Sequence, residues 1–123
     1  PTVLTPHPLE AARLLGCTTA DIQRDRLLAA RTLSERLTCT VVLKGSGTVI
    51  ATPGHAPVIN PGGNARLATA GTGDVLAGMI GALIAQGLPG FHAACRAVYR
   101  HGEIADQWPE GIALTASQLA TRW

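Results

Sequence analysis

The sequence predicts an α/β protein in which helices flank a mostly parallel sheet. Three observations predict this class. Apolar residues recur at helical spacing between positions 22 and 37, short β-branched runs follow between positions 40 and 60, and helical patterning returns from position 72. The length of 123 residues suits one domain, and a hydrophobic content of 46% excludes a disordered tail.

The first third of the chain is predicted to hold the end of a strand and two helices. The strand ends before Pro8, which starts a short helix over Leu9–Leu15 that Gly16 ends. A second, amphipathic helix is predicted over Ile22–Leu37. Four arginines between positions 24 and 36 are interpreted as part of a solvated helix face.

Three short strands are predicted next. Thr40–Leu43 is a compact β-branched run typical of a buried strand. A turn at Lys44–Gly47 lets it pair as a hairpin with a second strand over Thr48–Ala51, and Pro57–Asn60 is the third strand.

The last part of the chain is predicted to be helical. Thr72–Gln86 is apolar on every side, which is typical of a helix buried in a core. Another helix begins at Pro89, and Thr115 caps a last short helix that ends near Arg122.

Composition excludes several classes of protein. The net charge of only +2 argues against a nucleic-acid binder, and no apolar run reaches the roughly 20 residues that a membrane span needs. Three widely spaced cysteines indicate reduced thiols in a cytoplasmic protein. Three of the four histidines, His55, His92 and His101, show no metal-ligand spacing and are predicted to lie on the surface, so the chain itself is expected to supply no metal site.

The segment from Ala68 to Asp74 carries the main chemical signal because it opens directly onto an apolar helix. The first amides of a helix lack partners within it, and the helix dipole places about half a positive charge there. Gly71 and Gly73, on either side of Thr72, would let a phosphate approach those amides closely. An ordinary glycine-rich turn explains the two glycines equally well, but it does not explain Asp74.

Asp74 has two interpretations. A carboxylate in a first helical turn is stabilised by the dipole by about 0.3–1 kcal/mol, which is a structural role. Beside a phosphate site it could instead act as a general base for a hydroxyl that attacks a nucleotide's terminal phosphate. We favour the base.

The predicted turn after the first buried strand offers further groups for a phosphate. Lys44 is the only lysine of the chain and precedes two glycines, Gly45 and Gly47. Its ammonium could bind a diphosphate, or it could be an ordinary lysine of a surface turn. The hydroxyls of Ser46 and Thr48 can bond to phosphate or ribose oxygens.

Four elements in this order resemble a known family. They are the Leu4–Glu10 element Leu-Thr-Pro-His-Pro-Leu-Glu, the Val42–Thr48 hairpin, the Asn60–Asn64 loop continuing into Ala68–Gly78, and the helix that contains Tyr99–Asp106. They resemble the ribokinase-like superfamily and, most closely, the ADP/ATP-dependent NAD(P)H-hydrate dehydratases, which were once described as carbohydrate kinases. The resemblance covers nearly the whole chain.

The resemblance implies a ribokinase-like three-layer α/β/α sandwich, of which residues 1–123 would be the C-terminal part. It implies a repair enzyme that phosphorylates the hydroxyl of hydrated NADH or NADPH from ADP or ATP, with Mg²⁺, after which phosphate leaves and the dihydronicotinamide is restored. Asp74 falls on the catalytic carboxylate of the family, and His7 on a histidine that contacts the hydrate. Nucleotide-binding positions fall on Lys44, Gly45, Ser46, Gly47, Thr48, Gly71, Thr72 and Gly73. The substrate-binding positions are His7, Asp74, Asn60 and Asn64. The two asparagines are expected to shape the loop through Asx turns, and the alternative for them is a role near phosphate or magnesium.

The chain departs from the family pattern in two ways. The family usually has Pro, Met and Gly at the positions of Ala65, Leu67 and Ala70. The family's domain is also considerably longer, so we expect that one sheet edge and one side of the predicted buried helix lie uncovered here. Self-association into a homo-oligomer, or association with the missing N-terminal half, would cover them.

Two other functions remain open. A kinase for a small alcohol, such as a sugar or a vitamin precursor, would use the same carboxylate and anion site. A non-catalytic nucleotide-binding fragment would keep the cavity without turnover, although intact Asp74, Gly71 and Gly73 argue against a decayed site.

Overall fold

A computed structural model describes residues 2–123, which form a four-stranded sheet and six α-helices. The strands are β1 (Val3–Leu4), β2 (Thr40–Leu43), β3 (Thr48–Ala51) and β4 (Val58–Asn60). The helices are α1 (Pro8–Leu15), α2 (Thr19–Arg24), α3 (Arg26–Leu37), α4 (Thr72–Ala85), α5 (Gly90–Gln107) and α6 (Ala116–Arg122). A 3₁₀ helix spans Ala65–Ala68, between β4 and α4.

The sheet is mixed, so the expectation of a mostly parallel sheet is wrong for the described strands. The strand order is β1-β2-β3-β4; β1 and β2 pair in parallel, whereas β2–β3 and β3–β4 are antiparallel. The reason is the short connections after β2 and β3, Lys44–Gly47 and residues 52–57, since connections this short can join only antiparallel neighbours. The predicted hairpin of β2 and β3 is confirmed.

Helices cover both faces of this sheet, which confirms the layered α/β arrangement. Alternate residues of a strand face opposite sides. Val41 and Leu43 therefore pack with the helices α1 to α3, while Val42 and Ile50 pack against α4 and α5. The last helix, α6, adds Leu119 to a smaller cluster against the end of α5.

The helix predicted over Ile22–Leu37 is in fact two helices. Asp25 lies between α2 and α3 with φ −149° and ψ 85°, which is not a helical conformation. Its side chain accepts a hydrogen bond from the Leu28 N–H at 3.0 Å and so caps α3. A short acidic side chain that can bond to the backbone competes with helix continuation. Here Asp25 ends α2 and caps α3 instead of continuing one helix.

The helix α4 is buried on one side only, which corrects the prediction of burial all round. Leu76, Met79, Ile80 and Leu83 face the core, whereas Ala77, Gly78, Gly81 and Ala85 are exposed. No other element of the described chain covers this small-residue face, as expected for one side of this helix. None of the helices within residues 2–123 is long and apolar enough to cross a membrane.

Candidate functional site

A cavity of about 690 Å³ lies where the end of β2, the glycine loop and the start of α4 meet. Its walls come from distant parts of the sequence. The turn after β2 contributes residues 44–48, the glycine loop contributes most of residues 60–69, and α4 contributes Thr72, Gly73 and Leu76. His7 and Pro8 lie on one side, and Val98, His101 and Gly102 of α5 lie on the other.

The N-terminus of α4 is open to an anion. Its N-cap residue, Gly71, has φ +87° and provides no side-chain cap. The Thr72 N–H already bonds to the Thr69 carbonyl, but among residues 2–123 no protein acceptor is found for the N–H groups of Gly73 and Asp74. These free amides at the positive end of a helix dipole are suited to phosphate oxygens.

The side chain of Lys44 reaches this helix start. A Cβ atom added at Gly73 would lie 2.8 Å from the Lys44 Nζ, so the ammonium group lies directly against the first turn of α4. The backbone N–H of Lys44 donates to the Pro6 carbonyl at 3.0 Å, which joins the turn to the loop that carries His7. The structure thus brings Lys44 and Gly73 together, although 29 residues separate them in the sequence.

His101 is buried, with 7% of its surface exposed, so the prediction of a surface histidine is wrong. Its Nε2–H donates to the Thr72 carbonyl at 2.9 Å. Burial lowers the pKa of this histidine, with a further contribution from the nearby charge of Lys44, while the bond to Thr72 acts in the opposite direction. The other two histidines of that prediction, His55 and His92, are exposed as expected.

The glycine loop is held against α5 by close backbone contact. A Cβ at Gly102 would lie 2.9 Å from the carbonyl carbon of Gly62 and from the nitrogen of Gly63, so only glycine allows this approach. Asp106, one turn further along α5, accepts the Gly63 N–H at 2.9 Å and the Asn64 Nδ2–H at 3.2 Å. Asp106 lies on the helix expected from the sequence, but its contact with the glycine loop was not predicted.

Asn60 and Asn64 both line the cavity, but their side chains bind protein groups. The Nδ2 of buried Asn60 donates to the Val98 carbonyl at 3.4 Å. Asn64 donates to the Ala105 carbonyl at 3.0 Å, and its Oδ1 accepts the Arg66 N–H at 2.9 Å, which confirms the Asx turn expected at Asn64. Among residues 2–123 no backbone N–H donates to the Asn60 side chain, so the Asx turn expected there is not formed. Their observed contacts therefore shape the loop.

His7 lines the cavity as the N-cap of α1. Its Nδ1 accepts the Glu10 N–H at 3.1 Å, its backbone N–H donates to the Glu10 carboxylate at 3.0 Å, and its Nε2 lies 3.2 Å from the same carboxylate. Hydrogen bonding to His7 lowers the pKa of Glu10 below its ordinary value. The sequence signal for this capping box is a glutamate three residues after the cap, with proline between them.

Two predicted site residues are not in the cavity wall. Gly71 shapes the start of α4 without lining the cavity, and Asp74 is exposed beside Gly73. Within the described part of the chain, the Asp74 carboxylate forms no hydrogen bond and no ion pair. The site therefore gathers the predicted nucleotide-binding turn, Thr72, Gly73 and His7 into one cavity, with Asp74 next to it.

Comparisons with known proteins assign the chain to a family. Residues 1–122 match the family model described as NAD(P)H-hydrate dehydratase. An ADP-dependent (S)-NAD(P)H-hydrate dehydratase from Neisseria meningitidis is 52% identical over 118 residues, which are 96% of this chain and 40% of that protein. A bifunctional NAD(P)H-hydrate repair enzyme from Escherichia coli is 52% identical over 104 residues, which are 85% of this chain and 20% of that protein.

Solved structures agree with the family match. The ADP/ATP-dependent NAD(P)H-hydrate dehydratase of Bacillus subtilis, co-crystallised with ATP and Mg²⁺, superposes with a TM-score of 0.85 at 36% identity, over 97% of this chain and 44% of that one. A ribokinase-like superfamily protein from Enterococcus faecalis gives 0.84 at 33% identity, over 97% and 41%. The ribokinase-like α/β fold predicted from the sequence is thereby confirmed.

The chain spans less than half the length of these relatives. The family match nevertheless covers nearly all of the 123 residues. The description of this family as carbohydrate kinases is historical. The chain belongs to the NAD(P)H-hydrate dehydratase family.

Proposed function

We propose that the protein containing this chain restores NADH and NADPH from their hydrates at the expense of ADP or ATP, and that residues 1–123 supply the C-terminal part of its ribokinase-like domain. The observation that carries the proposal is the ammonium of Lys44 against Gly73, at a helix start whose first amides have no side-chain cap. A cation and free amides at one point are suited to the terminal phosphate of a nucleotide.

The nucleotide would lie between the turn after β2 and the start of α4. Gly73 and Asp74 offer backbone amides to its terminal phosphate, and Lys44 neutralises part of the phosphate charge. Ser46 and Thr48 lie on the same wall of the cavity and offer hydroxyl groups to phosphate or ribose oxygens. Gly45 and Gly47 have φ values of +143° and +68°, which glycine adopts at little cost, and so allow the tight turn that lines this wall.

Asp74 would act as the general base. Its carboxylate follows the proposed phosphate site by one residue and has no protein partner among residues 2–123, so it is free to take the proton of a substrate hydroxyl. The hydroxyl oxygen then attacks the terminal phosphorus, and the bond from that phosphorus to the bridging oxygen breaks. AMP leaves when the donor is ADP, and ADP leaves when the donor is ATP. The C–O bond to the transferred phosphate then breaks, and the neighbouring ring carbon gives up a proton to solvent, so that the ring double bond forms.

The hydrate would approach from the side of His7. The imidazole of His7 lines the cavity with its orientation held by Glu10, and 49% of that side chain is exposed. An oriented, half-exposed imidazole provides a ring face for a nicotinamide. Asn60 and Asn64 would contribute indirectly, by holding the loop that forms the opposite wall.

Magnesium would enter with the nucleotide. Among residues 2–123 there is no cluster of three or more His, Cys, Asp or Glu side chains that could hold a metal ion. Mg²⁺ typically takes one or two carboxylates together with substrate phosphates and water, and Asp74 is a carboxylate without a protein partner beside the phosphate site. This donor set fits a nucleotide-borne ion, which would spread the negative charge that develops on the transferring phosphoryl group.

Location and assembly follow from the same proposal. The three cysteines are free thiols, which suits the reducing cytoplasm, where NAD(P)H is used. The exposed small-residue face of α4 and the outer edge of β1 would be covered by the remainder of the domain or by a second copy of the protein.

The test is recovery of dihydronicotinamide absorbance when hydrated NADH is incubated with the full-length protein and either ADP or ATP. We expect recovery with one of the nucleotides and its loss by at least about a hundredfold in Asp74→Asn, since general base catalysis contributes at least that much. Glu35→Gln, which alters an exposed carboxylate on α3, is the matched control and should leave turnover unchanged. Unchanged turnover in Asp74→Asn would exclude the base, and nucleotide binding without turnover would indicate a binding module instead.

A further inference from the structure

The turn that carries Lys44 is held from behind by an arginine that the sequence analysis assigned to a solvated helix face. Arg26 begins α3, and its Nη2 lies 3.3 Å from the carbonyl oxygens of Leu43 and Lys44 and 3.4 Å from that of Gly47. Its Nη1 donates to Gln23 Oε1 at 2.9 Å. One guanidinium group thus donates hydrogen bonds to three carbonyl groups of a single tight turn.

This contact sets the direction of the peptide groups in the turn. The C=O and N–H of a trans peptide point in opposite directions. Because the carbonyl of Lys44 faces Arg26, the N–H group of the next residue, Gly45, faces away from it. Gly45 lines the cavity.

Gly45 makes the approach of the arginine possible. Its φ is +143°, and an added Cβ would lie 3.0 to 3.3 Å from three atoms of the guanidinium. A side chain at this position would therefore push against Arg26 as well as strain the backbone. Gly45 and Arg26 therefore pack closely against each other, although they lie 19 positions apart in the sequence.

The charge of Arg26 has no acidic partner among residues 2–123. Arg24 and Arg100 each pair with a carboxylate, of Asp21 and Glu103 respectively, whereas Arg26 contacts only carbonyl oxygens. Burial lowers the pKa of this guanidinium, but an arginine stays protonated at neutral pH. A fixed positive charge therefore lies directly behind the turn, where it adds to the attraction for an anion in the cavity.

We propose that Arg26 is a positioning residue of the nucleotide site: it fixes the Lys44–Thr48 turn so that the Gly45 amide and the Lys44 ammonium face the phosphates. This rests on the proposed function, because the ligand of the turn is taken to be ADP or ATP. Arginine suits this role because its two terminal nitrogens bind the turn through Nη2 and Gln23 through Nη1 at the same time, whereas lysine has only one nitrogen.

The experiment compares Arg26→Gln and Arg26→Lys with the unsubstituted full-length protein. The KM for the nucleotide donor, the KM for hydrated NADH and kcat are measured separately. We expect Arg26→Gln to raise the nucleotide KM about tenfold, the effect of losing a charge-assisted hydrogen bond, and to change kcat less than about twofold. Arg26→Lys should recover part of the loss, and Arg31→Gln, an exposed arginine on the same helix, is the matched control and should change nothing.

Each outcome supports or overturns the proposed role of Arg26. A nucleotide KM that Arg26→Gln leaves unchanged overturns the role of Arg26 while the proposed function stands. A lower kcat and higher KM values for both substrates, all changed by the same factor and with no recovery in Arg26→Lys, would show a general structural role. That result would also overturn the role of Arg26. Absence of nucleotide binding by the unsubstituted protein overturns the proposed function and this role together. If Arg26→Gln does not fold, Gly45→Ala decides, since its Cβ presses on an intact Arg26 and should raise the nucleotide KM in the same way.

Discussion

Replacing Gly73 by alanine separates the binding of nucleotide from the stability of the fold. Gly73 lies in the first turn of α4, where an alanine is accommodated by the helix and stabilises it by roughly 0.5–1 kcal/mol relative to glycine. The new Cβ would, however, lie 2.8 Å from the Lys44 Nζ, so the ammonium must move away. We therefore expect Gly73→Ala to unfold at the same or a higher temperature while it binds ADP less tightly.

The size of the binding loss follows from the contact that is removed. A hydrogen bond to a charged group contributes about 1.5–3 kcal/mol, which corresponds to roughly 10- to 150-fold in the dissociation constant for ADP. The assay is isothermal titration of the full-length protein with ADP, together with its thermal unfolding. Gly78→Ala is the matched control, because a Cβ there meets no atom within 4 Å in the described chain and should leave ADP binding unchanged.

A double-mutant cycle shows whether the loss passes through Lys44. If it does, Gly73→Ala added to Lys44→Ala should weaken binding much less than it does alone, since the ammonium is already gone. Additive losses would mean that the Cβ acts by blocking the amides and that the contact with Lys44 is incidental. Tight ADP binding by Gly73→Ala would refute the proposed phosphate position itself.

The remaining predictions concern the elements around the cavity. His101 is buried with its pKa below the ordinary 6.5, so the unfolded chain binds a proton there more readily than the folded chain does. The free energy of unfolding should therefore fall as the pH drops below 6.5. In urea unfolding between pH 7.5 and 5.5, His101→Gln should lose this part of the pH dependence. Gly102→Ala presses a Cβ against the backbone of Gly62 and Gly63 and should lower the free energy of unfolding by about 1–3 kcal/mol, whereas Gly81→Ala, with open space around it, should not. Asp106→Ala removes the acceptor of the Gly63 N–H and should speed amide exchange in the glycine loop and leave that of β2 unchanged; equal exchange in the loop would contradict its anchoring role.

The parts of the fold that the sequence predicted are those that depend on neighbouring residues. The hairpin of β2 and β3 follows from two β-branched runs around a glycine turn, and the start of α1 follows from Pro8. The uncapped start of α4 was predictable because glycines lie at the beginning of an apolar helix. In each case the responsible groups lie within a few positions of one another.

The parts that were missed depend on contacts across the chain. His101 is buried because the glycine loop packs against α5 at Gly102, about 40 residues away in the sequence. In the sequence, Arg26 is one of several arginines on a helix predicted to be exposed. Its contact with the turn after β2 is visible only in the structure. Spacing within a helix predicts which face is polar, but it does not predict which polar side chain a distant loop will contact.

The most direct test of the account is a crystal structure of the full-length protein with ADP and Mg²⁺. The account predicts the terminal phosphate within hydrogen-bond distance of the Gly73 N–H and of the Lys44 Nζ, with the Asp74 carboxylate facing the open side of that phosphate. A phosphate bound elsewhere, with Lys44 and the start of α4 left free, would contradict it.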